Sequence, residues 1–363
     1  MRLNITIKKE GILPGIIGDF PVDKTVLDVL PFGSKVLKAE DHGDSAYTQT
    51  GRMDVELPGG EVKQYFVKLA IDEIAPQLCE GEHTTLSLID GLIPGMVPKP
   101  VARGKYVFAD PDTYFLIEDF HHLDESIPSP QRVSQRLAQL HRLVSPNAKF
   151  GFAVPTHQAI APHPEGWESS WTVYFTRILK TAVETDAAKN GNWPELSTAA
   201  KHLLEAVVPT LLDPLQDGPN PIKPRLIHGD IWAGNIGTDK ETGDIMFVDT
   251  GSFYGHNELD LGAWRRPRAE NLGQSYLDEY KRIFPPSEPQ DAFDDRNRLY
   301  SLKFDLNVAA CEKRQRFRNA ALNNMLYLIE KYSKTSMPHL PKYDPSKDYS
   351  AGSSSISANE QSP

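Results

Sequence analysis

The stretch Arg225-Leu-Ile-His-Gly-Asp-Ile-Trp-Ala-Gly-Asn235, followed by Ile245-Met-Phe-Val-Asp249, decides how the rest of the chain is read. Two apolar runs, Leu226-Ile227 and Ile245 to Val248, have the character of short buried strands, and each gives way to a carboxylate soon after its end. A lone His-Gly-Asp is a common turn, since Gly and Asp both favour turns. Here Asn235 stands five residues after Asp230, and Asp249 closes the next apolar strand. That spacing is the template of phosphoryl transfer, in which an Asp accepts a hydroxyl proton while an Asn and a second Asp hold magnesium. Oxygen ligands from two strand-loop units suit a hard cation that completes its shell with water and phosphate oxygens.

The totals agree with an enzyme of this kind. The chain has 363 residues, 39% hydrophobic and 24% charged, enough for two lobes with full cores. A net charge of -10 argues against a general affinity for nucleic acid or anionic membrane. Cys79 and Cys311 form no metal or disulfide spacing, and Met1 to Glu10 holds no long apolar run. The expectation is a cytoplasmic protein with neither a signal peptide nor a transmembrane span.

Moving toward the N-terminus, residues 1–33 are Gly/Pro-punctuated, with one short amphipathic segment at Asp23 to Leu30. They are expected to form an extension. From Lys35 the pattern turns to β: Val36 to Ala39, a turn at Asp41-His-Gly-Asp-Ser45, then Ala46 to Leu57, a Pro58-Gly-Gly60 turn, and Gln64-Tyr-Phe-Val-Lys-Leu69. Lys68 could be the solvent face of an edge strand. It could equally be the strand lysine that kinases pair with a helix glutamate to hold phosphates. Residues 74–90 read as that helix. Glu82 is the better partner, because Glu80 lies nearly opposite on the helix. The turn at His42 to Ser45 lies where a phosphate-covering loop would lie. Its amides and the Ser45 hydroxyl could contact phosphate, or the turn could be a plain hairpin.

After the Pro-rich Ile93 to Pro100 connector come two β stretches, Val101 to Phe108 and Tyr114 to Glu118. The second ends in Glu118-Asp119-Phe120, where a two-lobed kinase crosses between lobes and offers backbone groups to adenine; Glu118 and Phe120 are therefore nucleotide-site candidates. Beyond Pro130 the pattern is helical, with Val133, Leu137, Leu140, His141 and Val144 on one face, and His141 reads as a core histidine. The aromatics between Phe150 and Phe175 suit a core or an acceptor pocket. Helical pattern returns at Thr172 to Val183, Leu196 to Leu212, Leu272 to Phe284 and Arg296 to Tyr332. Ser333 to Pro363 is polar, rich in Ser and Pro, and expected to be disordered.

Only ten residues separate Asp249 from Asp260, too few for a regulated activation segment, and Gly229 stands where protein kinases carry an Arg. A small acceptor follows. Asp260 is placed to brace the catalytic loop, or simply to cap a helix.

These residues together resemble the fructosamine kinase (ketosamine-3-kinase, protein-ribulosamine 3-kinase) family, a relative of aminoglycoside phosphotransferases and choline kinases. The resemblance spans roughly residues 23–332. It is carried by Phe66-Val-Lys68, Gly81-Glu82, Leu137-Ala-Gln-Leu-His141, Lys149-Phe-Gly-Phe152 with Trp167 and Trp171, His228-Gly-Asp-Ile-Trp-Ala-Gly-Asn235, and Ser252-Phe-Tyr-Gly-His-Asn-Glu258. Ser287-Glu-Pro289 and Asp294-Asp-Arg-Asn297 look like its fungal branch. The resemblance implies an α+β, bilobal, protein-kinase-like (aminoglycoside phosphotransferase-like) fold with a β-rich N-lobe over residues 34–119 and a helical C-lobe over 120–332. It implies ATP and Mg2+ as cofactors and phosphorylation of the 3-hydroxyl of ribulosamine or fructosamine adducts on lysines, free or protein-bound, leading to deglycation. In these terms Asp230 is the base, Asn235 and Asp249 hold magnesium, Lys68 holds phosphates and Glu82 orients it. Trp232, His228 and Glu258 fall to the acceptor side. Another amino sugar or small alcohol as acceptor, or a non-catalytic pseudokinase module, are the alternatives. Two departures stand out: the metal aspartate sits in Asp249-Thr-Gly251 instead of the family's Asp-Pro-Ala, and Asp44 brings an acidic group to the phosphate loop.

Overall fold

The structure, a computed structural model, describes residues 2–43, 45, 47–124, 126–265, 272–335 and 337–348. Asp44 and residues 349–363 lie outside the described residues. The chain forms two compact units that interleave in sequence. One takes residues up to Ser126 together with Phe152–Gly166 and Ile236–Ser252; the other takes Ile127–Gly151, Trp167–Asn235 and Phe253 onward. The expected cut near residue 119 thus leaves out two later segments that join the first unit, and one of them carries Asp249.

The first unit is built on a five-stranded antiparallel sheet: β1 (Lys35–Asp41), β2 (Gln49–Glu56), β3 (Val62–Ala70), β4 (Pro100–Lys105) and β5 (Tyr114–Asp119), in the spatial order β1-β2-β3-β5-β4. Period-2 alternation puts Tyr65, Val67 and Leu69 of β3 on the same face as Met53, Val55, Phe115 and Ile117, and all are buried. What covers that face is the N-terminal segment. Phe20, Val22, Val26 and Leu30 complete this core. Residues 1–33 read as an extension, yet 2–33 of them form an integral layer, because a half-apolar sheet needs a cover that alternation alone does not identify. Asp23 anchors the layer. Fully buried, it caps a 3-10 helix at Lys24–Val29 by accepting from the Thr25 amide at 2.9 Å, and it accepts from the Phe108 amide at 2.6 Å. The helix α1 (Ala75–Leu92) packs on β3, β4 and β5, and the segments Ile236–Asp239 and Ile245–Phe247 pair in a small sheet with Leu123–Asp124.

The second unit is mainly helical. Helix α2 (Pro130–His141), capped by Ser129, and helix α3 (Trp171–Asn190), capped by Ser170, precede Arg225–Ile227, which pairs antiparallel with Phe253–Gly255. The helical pattern over 296–332 proves to be two helices, α4 (Phe293–Glu312) and α5 (Gln315–Tyr332). The break falls at Lys313, whose φ of 52° cannot continue a right-handed helix. Most of α4 is buried, polar residues included. Its Arg298 also corrects the expected start of disorder: the guanidinium grips Asp348 through two bonds of 2.7 and 2.9 Å, and Asn323 of α5 brackets the backbone of Asp344. Asp344 and Asp348 are thus anchored on the second unit, because a buried cation such as Arg298 needs a carboxylate partner. Among the described residues no helix is long and apolar enough to cross a membrane.

Candidate active site

In the first unit the sheet register builds a charged cluster. Thr50 and Leu116 flank Lys68 across the strands, and Glu118 opposes Phe66, which makes Glu118 a diagonal neighbour of Lys68 on one face. Lys68 Nζ donates to Glu82 of α1 at 2.5 Å and also to the Asp249 carboxylate. Glu80 turns the other way, to Arg103 at 2.7 Å. Burial works to strip the Lys68 proton, but Asp249, Glu82 and Glu118 outweigh it and hold the ammonium well above its ordinary range. Burial drives the Glu118 carboxyl up to about 8 against the pull of Lys68, with Glu82 and Asp249 adding to the rise. With Glu118 mostly protonated near neutral pH, the Glu82 and Asp249 carboxylates about one ammonium still leave negative charge in excess, a setting that a divalent cation would offset.

Asp249 reaches this position through an uncommon backbone. Its φ of 57° is left-handed for a side-chain-bearing residue, placed just after the strand Ile245–Phe247. The next two residues explain the departure from Asp-Pro-Ala. The Thr250 hydroxyl meets the buried Thr85 hydroxyl of α1 at 2.7 Å, and a Cβ on Gly251 would fall 2.1 Å from the His157 carbonyl oxygen.

In the second unit the loop His228 to Asn235 is braced at nearly every peptide. Asp260, fully buried, accepts from the His228 and Gly229 amides at 2.7 and 2.8 Å. Burial would lift its carboxyl, but the His141 hydrogen bond and the nearby His228 hold it below the ordinary range. His141 donates Nε2–H to Asp260 at 3.0 Å and accepts the Tyr280 hydroxyl at 2.6 Å through Nδ1, a satisfied core histidine as its helix face suggested. Lys303 of α4 donates to the Gly229 carbonyl at 2.9 Å, Asn235 Nδ2 to the Asp230 carbonyl at 2.9 Å, and Trp264 Nε1 to the Ile231 carbonyl at 3.0 Å. Asp230 stays partly exposed at the centre of this frame. With its amide nitrogen committed to the loop, Asn235 has its oxygen left as the atom able to ligate a cation. Trp232 lies across Gly234, whose absent Cβ would sit 2.4 Å from the indole edge. Lys303 and Trp264 were missed by the sequence reading, although a lysine inside the apolar Leu302-Lys-Phe-Asp-Leu306 run was a signal of a buried partner.

Other candidates are placed differently. Glu258 is 1% exposed and holds Arg296 at 2.7 and 2.9 Å, so its carboxylate serves that cation and offers nothing to an acceptor. His228 is fully buried, its Nδ1 accepting the Asp230 amide at 3.2 Å, which makes it a loop-shaping residue instead of an acceptor contact. Ser45 accepts from the Thr48 amide and hydroxyl at 3.2 and 2.7 Å, the plain-turn alternative. The Phe120 amide donates to the Gln64 carbonyl at 3.3 Å, so the sheet uses the donor expected for adenine; the Phe120 ring packs edge-on to His42 at 4.9 Å. Among the described residues no group of three or more His, Cys, Asp or Glu forms a self-sufficient metal cage. Magnesium needs none, since it binds through one or two protein oxygens and substrate phosphates.

Comparison with known proteins bears on the fold and the family. The chain is 26% identical over 244 residues to the protein-ribulosamine 3-kinase, chloroplastic, of Arabidopsis thaliana, covering 67% of this chain and 69% of that protein. It is 27% identical over 301 residues to the ketosamine-3-kinase of Mus musculus, covering 76% and 90%. A solved structure of a fructosamine-3-kinase candidate from Haemophilus somnus superposes with a TM-score of 0.66 at 20% identity, covering 84% and 97%. The aminoglycoside phosphotransferase APH(4)-Ia, in a ternary complex with AMP-PNP and hygromycin B, superposes with a TM-score of 0.56 at 15% identity, covering 86% and 99%. The fold is thus protein-kinase-like. The fructosamine kinase profile matches residues 40–331, most of the chain, and the protein belongs to the fructosamine kinase family.

Proposed function

We propose that the protein is an ATP-dependent ketosamine 3-kinase, which phosphorylates the 3-hydroxyl of ribulosamine or fructosamine adducts on lysine and so initiates their removal. The observation that carries the phosphotransferase part is Lys68 held by Glu82 and Asp249, a cation fixed for phosphate oxygens beside a carboxylate fit for a metal. The acceptor class follows from the ketosamine and ribulosamine kinases among its relatives.

In this reading Asp230 accepts the proton of the acceptor hydroxyl as that oxygen attacks the γ-phosphorus, and ADP departs. Lys68 holds phosphate oxygens, and Asn235 and Asp249 are the residues that would hold magnesium. The ion, when bound, neutralises charge developing on the phosphoryl group. The Phe120 ring offers an apolar wall to adenine, and Trp232 a face to the sugar.

The test is incubation with magnesium-ATP and ribulosyl- or fructosyl-lysine, following ADP release and sugar phosphate by phosphorus NMR. Transfer to the ketose 3-hydroxyl is expected. Asp230→Asn should cut turnover at least about a hundredfold while leaving nucleotide affinity within about twofold. Turnover retained in Asp230→Asn removes that residue from the mechanism. Nucleotide binding without transfer to either adduct rejects the acceptor and directs the search to other amino sugars.

A further inference from the structure

Glu82 and Asp249, the two acidic partners of Lys68, come from segments far apart in sequence, and a second set of contacts joins those segments. Thr85 lies one turn after Glu82 on α1 and is fully buried; Thr250 follows Asp249 and is 4% exposed. The Thr85 hydroxyl reaches the Glu82 carbonyl at 3.0 Å and the Thr250 carbonyl at 3.4 Å, and the two hydroxyls meet at 2.7 Å, where donation from Thr250 to Thr85 leaves the Thr85 proton to a carbonyl. Each proton then has one acceptor and neither hydroxyl is left unmade, which matters at this depth.

The same two segments also close on one piece of chain. A Cβ on Gly81, adjacent to Glu82, would lie 2.4 Å from the Pro155 carbonyl oxygen, and one on Gly251 would lie 2.1 Å from that of His157. The second carbonyl belongs to, and the first just precedes, a hairpin in which His157–Gln158 pairs with Ala161–Pro162. Thr156 and His163 tie its base, through a backbone bond of 2.8 Å and a side-chain bond of 3.0 Å. Helix α1 and the Asp249 loop are thus latched to each other by hydroxyls and seated on a common support.

We propose that Thr85 and Thr250 are positioning residues: their hydroxyl pair holds Glu82 and Asp249 at their stations on Lys68 before any nucleotide or metal arrives. This rests on the reading of Asp249 as a metal ligand. The catalytic helix of this kinase is then permanently assembled and needs no regulatory event to bring it in.

Thr250→Val removes the hydroxyl at nearly constant volume, and Thr250→Ser keeps it. In Thr250→Val, kcat should fall about tenfold and the magnesium concentration for half-maximal rate should rise several-fold, the scale of one buried hydrogen bond. The acceptor KM and the affinity for metal-free ATP should stay within about twofold. Thr250→Ser should restore both values, and Thr85→Val with Thr250→Val should be no worse than Thr85→Val alone, since that change already removes the shared bond along with the one to the Glu82 carbonyl. Hydrogen exchange supplies a readout independent of turnover: protection of the α1 amides around Glu82 should drop about tenfold in Thr250→Val and recover in Thr250→Ser. Wild-type magnesium dependence and protection in Thr250→Val, a serine variant as poor as the valine one, or additive single changes would each overturn the latch. A wild-type protein that transfers phosphoryl to no acceptor would instead defeat the proposed function, and the exchange measurement would still decide whether the hydroxyl pair holds α1.

Discussion

Glu258 and Arg296 are both almost completely buried, and the carboxylate meets the guanidinium through both oxygens while accepting the Ser287 amide at 2.8 Å. A carboxylate in a family-specific run, Phe253-Tyr-Gly-His-Asn-Glu258, suggests a ligand for a cationic acceptor until its partner is seen. Removing one member of such a pair leaves an uncompensated buried charge. Glu258→Gln should therefore cost about 3–5 kcal/mol of stability, read as a lowered denaturant midpoint, with the acceptor KM unchanged in the fraction that remains folded. A raised KM at unaltered stability would return Glu258 to the acceptor site. The same logic separates Lys68 from an edge-strand lysine: its value lies in its partners, and a single side chain in a sequence does not display them.

At the scale of the element, the loop from His228 to Asn235 is a backbone held in place by side chains from elsewhere in its unit: Asp260, Lys303 and Trp264, with Asn235 closing it from within. That bracing fixes the peptide around Asp230 and leaves its carboxylate partly exposed, the arrangement general-base work needs. Gly234 has a separate duty, since only a hydrogen fits under the Trp232 indole. Gly234→Ala should displace that ring at a stability cost of about 1 kcal/mol, because the atom in the way is the far edge of a side chain. Were Trp232 the platform for the sugar, the acceptor KM would rise severalfold while the KM for ATP held constant. Equal changes in both constants, or none, would assign Trp232 to packing. The loop's spacing was legible in sequence because Asp230 and Asn235 are local to each other. Its bracing by Lys303 was not, because 74 residues separate donor and acceptor.

At the scale of the whole molecule, two neutral histidines, one fully buried and one half-buried, set a limit in acid. His256 is fully buried between the Tyr300 and Ser287 hydroxyls, both at 2.9 Å, and burial with the Arg296 charge keeps it well below the ordinary histidine range. Burial likewise pushes His157 down to about 4. In both cases the unfolded chain binds protons that the folded one refuses, so stability is complete above about pH 6.5 and falls as pH drops toward the folded values. Lowering pH from 7 to 5 should reduce the unfolding temperature. His157→Gln should flatten the slope, by up to about 2 kcal/mol across that interval. Parallel slopes in wild type and variant would show that His157 is charged in the folded state.

The sequence by itself determined the β-rich and helical patterns, the loop with Asp230 and Asn235, the strand ending near Asp249, the choice of Glu82 over Glu80 for Lys68, and the family. Each of these is written in local periodicity, turn chemistry or short motifs, which are properties of neighbours along the chain. Only the tertiary structure decided that residues 2–33 roof the sheet, that 152–166 and 236–252 join the first unit, that Glu258 belongs to Arg296, and that Thr250 meets Thr85 across 165 positions of sequence. Burial and hydrogen-bond partnership depend on which distant groups the folded path brings within about 3 Å, and a pattern of faces along a chain does not contain that distance.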